Sequence, residues 1–211
     1  MNPHDSLARR LLARAPGKLA IVAAALAVAV VAAAGVTAAA GSTTPAVTSS
    51  FSFKLVPATG IATCLPNAAG HVKITTGSLN DTMVVSMNGM PANTGFDLFV
   101  IQQPGKPFGV SWYQTDIQAN STGAGSASVR GVFDSETFSV SPGGTTTFAP
   151  THQYHLGLWF NDPQVPFNLG CEPGATSPVI TPFNGEQNAG IQALNTSNFP
   201  VAAGPLSHVH R

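Results

Sequence analysis

From Phe51 onward the chain alternates apolar and polar residues with a period of two, and no helical stripe longer than two turns interrupts it. Phe51, Phe53 and Leu55 alternate with Ser52 and Lys54, and Val72 and Ile74 with His71 and Lys73. Met83, Val85 and Met87 form the next apolar row, and Leu156, Leu158 and Phe160 lie opposite His155, Gly157 and Trp159. Successive side chains of a strand point to opposite faces, so each segment offers one face to a core and one to solvent. Phe96 to Ile101 departs from this pattern by being apolar on both faces apart from Asp97, which suits a central strand covered on both sides. Turn clusters such as Gln103-Pro104-Gly105-Lys106-Pro107 and Ser141-Pro142-Gly143-Gly144 separate the runs, because proline cannot donate to a ladder and clustered glycine favours turns. Counting the runs gives about nine strands and predicts an all-β antiparallel fold.

The N-terminus belongs to a different physical regime. Arg9, Arg10, Arg14 and Lys18 precede an uncharged Ala/Val-rich run from Leu19 to Ala40 that ends in Ala38-Ala39-Ala40. A basic start, an apolar stretch and an A-x-A site predict an export signal over 1–40, cleaved after Ala40. The run is about as long as the roughly 20 residues that span a bilayer, so the alternative is a signal anchor through 19–40 with the rest of the chain outside. Either way the protein is expected to be secreted or at the cell surface, and to meet the membrane only through this segment. Residues 41–50 are polar and Ser/Thr-rich, a flexible linker, followed by one folded domain over 51–200 and a flexible tail over 201–211.

Residues 41–211 hold five basic and eight acidic side chains, a net charge of −3; the chain as a whole is neutral only because its N-terminus is basic. No basic run is present, which argues against nucleic acid as a partner. Cys64 and Cys171 are the two cysteines. In an oxidising compartment they predict one disulfide, which would close about 107 positions of chain and stabilise the fold by about 4–5 kcal/mol on the chain-entropy argument.

Met90-Pro91-Ala92-Asn93-Thr94-Gly95-Phe96 resembles the apolar-Pro-x-Asn-Thr-x-aromatic run that leads into a strand of fibronectin type III and related immunoglobulin-like modules. The resemblance implies an immunoglobulin-like antiparallel β-sandwich, with Phe96 in place of the corner tyrosine and without its hydroxyl. More widely, Gly109 to Val140, His155 to Pro163 and Thr181 to Pro200 resemble a group of uncharacterised exported proteins of the actinobacterial type. That likeness brings no activity and no functional residues with it.

Candidate chemistry is sparse, and no catalytic or cofactor motif is present. Asn161 to Gly190 has no periodicity and carries five prolines with Cys171; a long aperiodic loop points to a contact region, with Asn161, Asp162, Glu172 and Glu186 as its polar candidates. Trp112, Tyr113 and Trp159 are candidates for an aromatic platform, which requires at least two of them on one solvent face. Paired acids are the minimum for glycoside hydrolysis, and Asp116 with Glu136 or Glu172 with Glu186 are the pairs available. His152, His155, His208 and His210 are the residues a copper site would draw on, but the i, i+3 pair His152/His155 points to opposite faces of a strand. The reading that follows is a non-catalytic extracellular or cell-envelope module with a binding or scaffolding role toward a glycan or a protein. A secreted carboxylate-dependent hydrolase acting on glycans is the alternative, and a copper-binding exported protein a weaker one.

Overall fold

The computed structural model describes residues 49–133, 139–140, 147–148, 154–182 and 189–209. The expected signal or anchor, the linker up to residue 48, and Glu136, His152, Glu186 and His210 lie outside the described residues. The protein is all-β. Ten strands are formed among the described residues: β1 (Ser50–Pro57), β2 (Ala69–Thr75), β3 (Asp81–Asn88), β4 (Gly95–Ile101), β5 (Ser111–Gln118), β6 (Gly125–Gly131), β7 (Ser139–Val140), β8 (Thr147–Phe148), β9 (His155–Phe160) and β10 (Gln192–Asn195). The described residues also hold three short helical turns: α1 (Ile61–Cys64) between β1 and β2, α2 (Gln164–Asn168) between β9 and β10, and a 3-10 turn at Pro205–His208 beyond β10.

Eight strands form one antiparallel sheet in the order β5-β4-β9-β10-β1-β2-β3-β6, and β7 pairs with β8 separately. The two facing sheets that a sandwich would show are not separate. β1 pairs with β2 over Ser50–Leu55 and with β10 at Val56–Pro57, so hydrogen bonding passes without a break from one half to the other. The end strands β5 and β6 are joined by the turn Ala119–Ala124, which brings the edges of the sheet together until it nearly closes as a barrel. β4 pairs with β5 as a hairpin, and β9 returns to the other edge of β4.

Local chemistry holds that end of the sheet. Asn120 Oδ1 accepts from the Thr122 and Ala124 N–H groups at 2.9 and 3.1 Å, and Gly123 turns the chain at φ +77°. The Gly123 carbonyl accepts from Met90 N–H at 3.1 Å, and the Asn120 carbonyl from Asn93 N–H at 3.1 Å. The β3–β4 crossover is thereby laced to the β5–β6 turn.

The alternation read from the sequence decides what is inside. Phe53, Leu55, Val72, Ile74, Met83, Val85, Met87, Leu156, Leu158 and Phe160 are all buried in one core cluster. β4 is covered on both faces as expected: Phe96, Leu98 and Val100 enter that core, while Phe99 and Ile101 join Trp159 in a second cluster on the outer side. Phe108 covers this outer cluster, with its ring 5.0 Å from Trp159 and edge-on. The residues expected to form a flexible tail pack instead: Leu206 and Val209 are buried in the main core, and Leu206 N–H donates to the Tyr154 carbonyl at 3.3 Å. Cys64 and Cys171 form the expected disulfide, with Cα atoms 5.1 Å apart. It ties α1 to the chain just beyond α2.

Candidate functional site

β10 carries Gln192 and Asn195 on the outer side of the sheet, opposite Trp159 and Gly157 of β9. A β-bulge at Ala193 keeps both there while Leu194 turns inward. Three segments rise around these two side chains. The β4–β5 loop brings Lys106 and Phe108, the β1–α1 connection brings Ala58 and Thr59, and the chain from Cys171 to Thr181 closes the third side. Together they enclose a cleft of about 500 Å³. That volume lies within the range of small-molecule sites, roughly 300–1,000 Å³.

The polar groups of the floor are fixed by one another. Asn195 Oδ1 accepts from Ser197 N–H at 3.0 Å, so its Nδ2 faces the other way and donates to the Pro104 carbonyl at 3.0 Å and to Gln192 Oε1 at 2.8 Å. Because Oε1 of Gln192 is committed as an acceptor, its amide nitrogen cannot exchange places with it. Gln192 Nε2 is buried and makes no hydrogen bond. Across the cleft, Glu172 Oε2 accepts from Val179 N–H at 2.8 Å, while Oε1 is buried and makes none. Leaving a buried donor or acceptor without a partner costs about 1–3 kcal/mol each. One donor and one acceptor are therefore held unsatisfied in residues that line the same cleft. Lys106, exposed on the β4–β5 loop, adds a cation to the rim.

Of the described residues singled out by sequence, Glu172 and Cys171 belong to this cleft and the others do not. Trp112 and Tyr113, adjacent on β5, point to opposite faces: Trp112 packs against the main core, and Tyr113 is 46% exposed, donating its hydroxyl to Asp116 at 2.7 Å. Trp159 is fully buried. No two of the three share a solvent face, so the aromatic platform is not formed. Asn161 donates to the buried Asp97 carboxylate at 3.0 Å, and Asp162 accepts from Gln164 N–H at 2.8 Å to start α2; both serve the local fold.

His155 is fully buried. Its Nε2 lies 3.0 Å from the Val201 carbonyl and its Nδ1 2.8 Å from Thr196 Oγ1. A carbonyl can only accept, so Nε2 carries the proton and Nδ1 accepts from the hydroxyl. Burial holds its pKa below the ordinary 6.5, against the opposing pull of the Val201 carbonyl. His208 sits on the 3-10 turn with its ring 6.3 Å from Phe51. Among the described residues no three His, Cys, Asp or Glu side chains are placed to hold a metal ion, and no helix is long and apolar enough to cross a membrane.

Lys106, Phe108, Gln192 and Asn195 carried no signal of their own in the sequence. The bulge that turns Gln192 and Asn195 to one side is a property of strand register, which alternation alone does not report. The chain matches no known family model, no curated protein and no solved structure.

Proposed function

We propose that this protein is a non-catalytic binding or scaffolding module of the extracellular space or cell envelope, and that its ligand occupies the cleft between β10, the β4–β5 loop and the Cys171–Thr181 chain. The observation that carries the reading is the pair of unsatisfied side chains, Glu172 and Gln192, at one cleft. Both atoms have almost no accessible surface in the ligand-free chain, so a hydroxyl-bearing ligand, from a glycan or a protein partner, which can both donate and accept, reaches them as the two side chains turn toward the cleft. The apolar wall supplied by Phe108, Ile191 and Val179 suits the C–H face of such a ligand.

The location outside the plasma membrane is supported by the Cys64–Cys171 bond, of the kind that persists in oxidising compartments, and by the basic-then-apolar N-terminal pattern. We also read the chain as one of the exported actinobacterial-type group. In the same reading the curled sheet is immunoglobulin-like, its halves β1-β2-β3-β6 and β5-β4-β9-β10 acting as the two layers about one core.

Native mass spectrometry of the protein recovered from culture medium and from membranes, with and without reductant, tests this directly. The expected result is a chain of oxidised mass found outside the cytoplasm and carrying a bound organic ligand. Glu172→Gln keeps an acceptor for Val179 N–H and replaces the free oxygen with a donor. It is expected to weaken the complex by about tenfold, the equivalent of one hydrogen bond to a charged group, without unfolding the chain. Protein recovered without ligand, or an adduct indifferent to Glu172→Gln, would overturn the assignment of the cleft.

A further inference from the structure

The two halves of the sheet present different outer faces. Over β4 and β9 the face is apolar and roofed by Phe108. Over β1, β2, β3 and β6 it is bare and polar. The register aligns its outward side chains in rows across the four strands; one row is Lys54, His71, Ser86 and Ser126, the next brings Lys73, and the third brings Arg130. Apart from Val84, every remaining outward position in these rows is serine or threonine. No carboxylate stands on this face among the described residues.

Three cations gathered on one face are notable in a region whose net charge is −3. Lys54, Lys73, Arg130 and His71 are all exposed. With strands about 4.8 Å apart and rows about 6.8 Å apart, the Lys54 and Lys73 backbones are separated by about 8 Å and those of Lys73 and Arg130 by about 12 Å, along one diagonal. At the Lys54 end the face dips into a hollow of about 330 Å³ bounded by Lys54, His71, Ser86 and Asn88. Cations spaced along a line are complementary to anions spaced along a chain, and among the described residues no outward carboxylate in these rows offsets their field. Exposed hydroxyls between them can both donate to and accept from ring hydroxyls.

We propose that this face binds an acidic polysaccharide, laid across the strands along the Lys54–Lys73–Arg130 diagonal with its uronate carboxylates against the cations and its hydroxyls against the serine and threonine rows. The site is separate from the cleft and stands whether or not the cleft is occupied.

The test uses the purified full-length chain, alginate as a polyuronate probe and dextran as a neutral one, read by affinity electrophoresis. Alginate is expected to retard the protein at low salt and dextran to leave it unmoved, with retardation fading above about 0.5 M salt as the charges are screened. The K54Q/K73Q/R130Q variant is expected to lose at least about tenfold in apparent affinity, with an unchanged melting curve. K54R/K73R/R130K is expected to keep the affinity, and E172Q to have no effect on it. Equal binding by the neutralised variant, equal retardation by dextran, loss of binding in E172Q, or tighter binding of single-stranded DNA than of alginate would each overturn the proposal.

Discussion

At the scale of single residues, His155 shows how a group that looks chemical can be structural. Its two ring nitrogens bind Thr196 and Val201, so the imidazole clamps the chain beyond β10 against β9. Its folded pKa is lowered by burial, so the unfolded chain takes up a proton more readily than the folded one. The stability this contributes is complete above the unfolded value of 6.5 and falls away as pH drops below it. Urea midpoints measured between about pH 5 and 7 are expected to fall with acid in the parent chain and to stay nearly level in His155→Gln. Gly157 offers a second test. A β-carbon there would run into the Trp159 ring and the Gln192 amide, so Gly157→Ala is expected to destabilise by about 1–3 kcal/mol in thermal unfolding. The sequence placed His155, Gly157 and Trp159 on one face, as the structure has them, but the meaning of that face was out of reach. Whether it meets solvent or a loop depends on Phe108, which lies in a segment with no periodicity to read.

At the scale of elements, alternation was legible and register was not. The rows of inward residues on β1, β2 and β3 could be read because burial repeats every second residue, and that on β9 because its apolar residues do, although both of its faces are covered. α1 and α2, of 4 and 5 residues, fall below the length at which a helical stripe shows, and both lie in stretches that read as loop. The cationic diagonal was hidden for a different reason: Lys54, Lys73 and Arg130 are far apart along the chain and meet only through the pairing of four strands. The disulfide joins elements as well as residues, since Cys171 follows α2 and lines the cleft. Replacing both cysteines by alanine is expected to cost about 2–5 kcal/mol in denaturant unfolding. Limited proteolysis of that variant is expected to cut first within residues 172–182, whose chain is then held to α1 by no covalent link.

At the scale of the molecule, the core is completed from the far end of the chain. Leu206 and Val209 are buried beside residues of β1 and β9 and Pro205 is buried with them, so truncation after Ala203 removes three side chains from the interior. Burial of such side chains contributes about 1.5–3 kcal/mol each, so the truncated chain is expected to melt at a lower temperature and to bind a hydrophobic dye under native conditions. A melting curve that overlays the parent would show that these residues are dispensable. The pairing of β1 with β10 sets an order in time as well. β1 has one edge satisfied early, by β2, and must hold the other open until β10 arrives. A chain still emerging from a ribosome, or halted short of residue 195, therefore carries an exposed edge for as long as it waits, and the rate at which its final segment is delivered governs how long that edge is available to another chain.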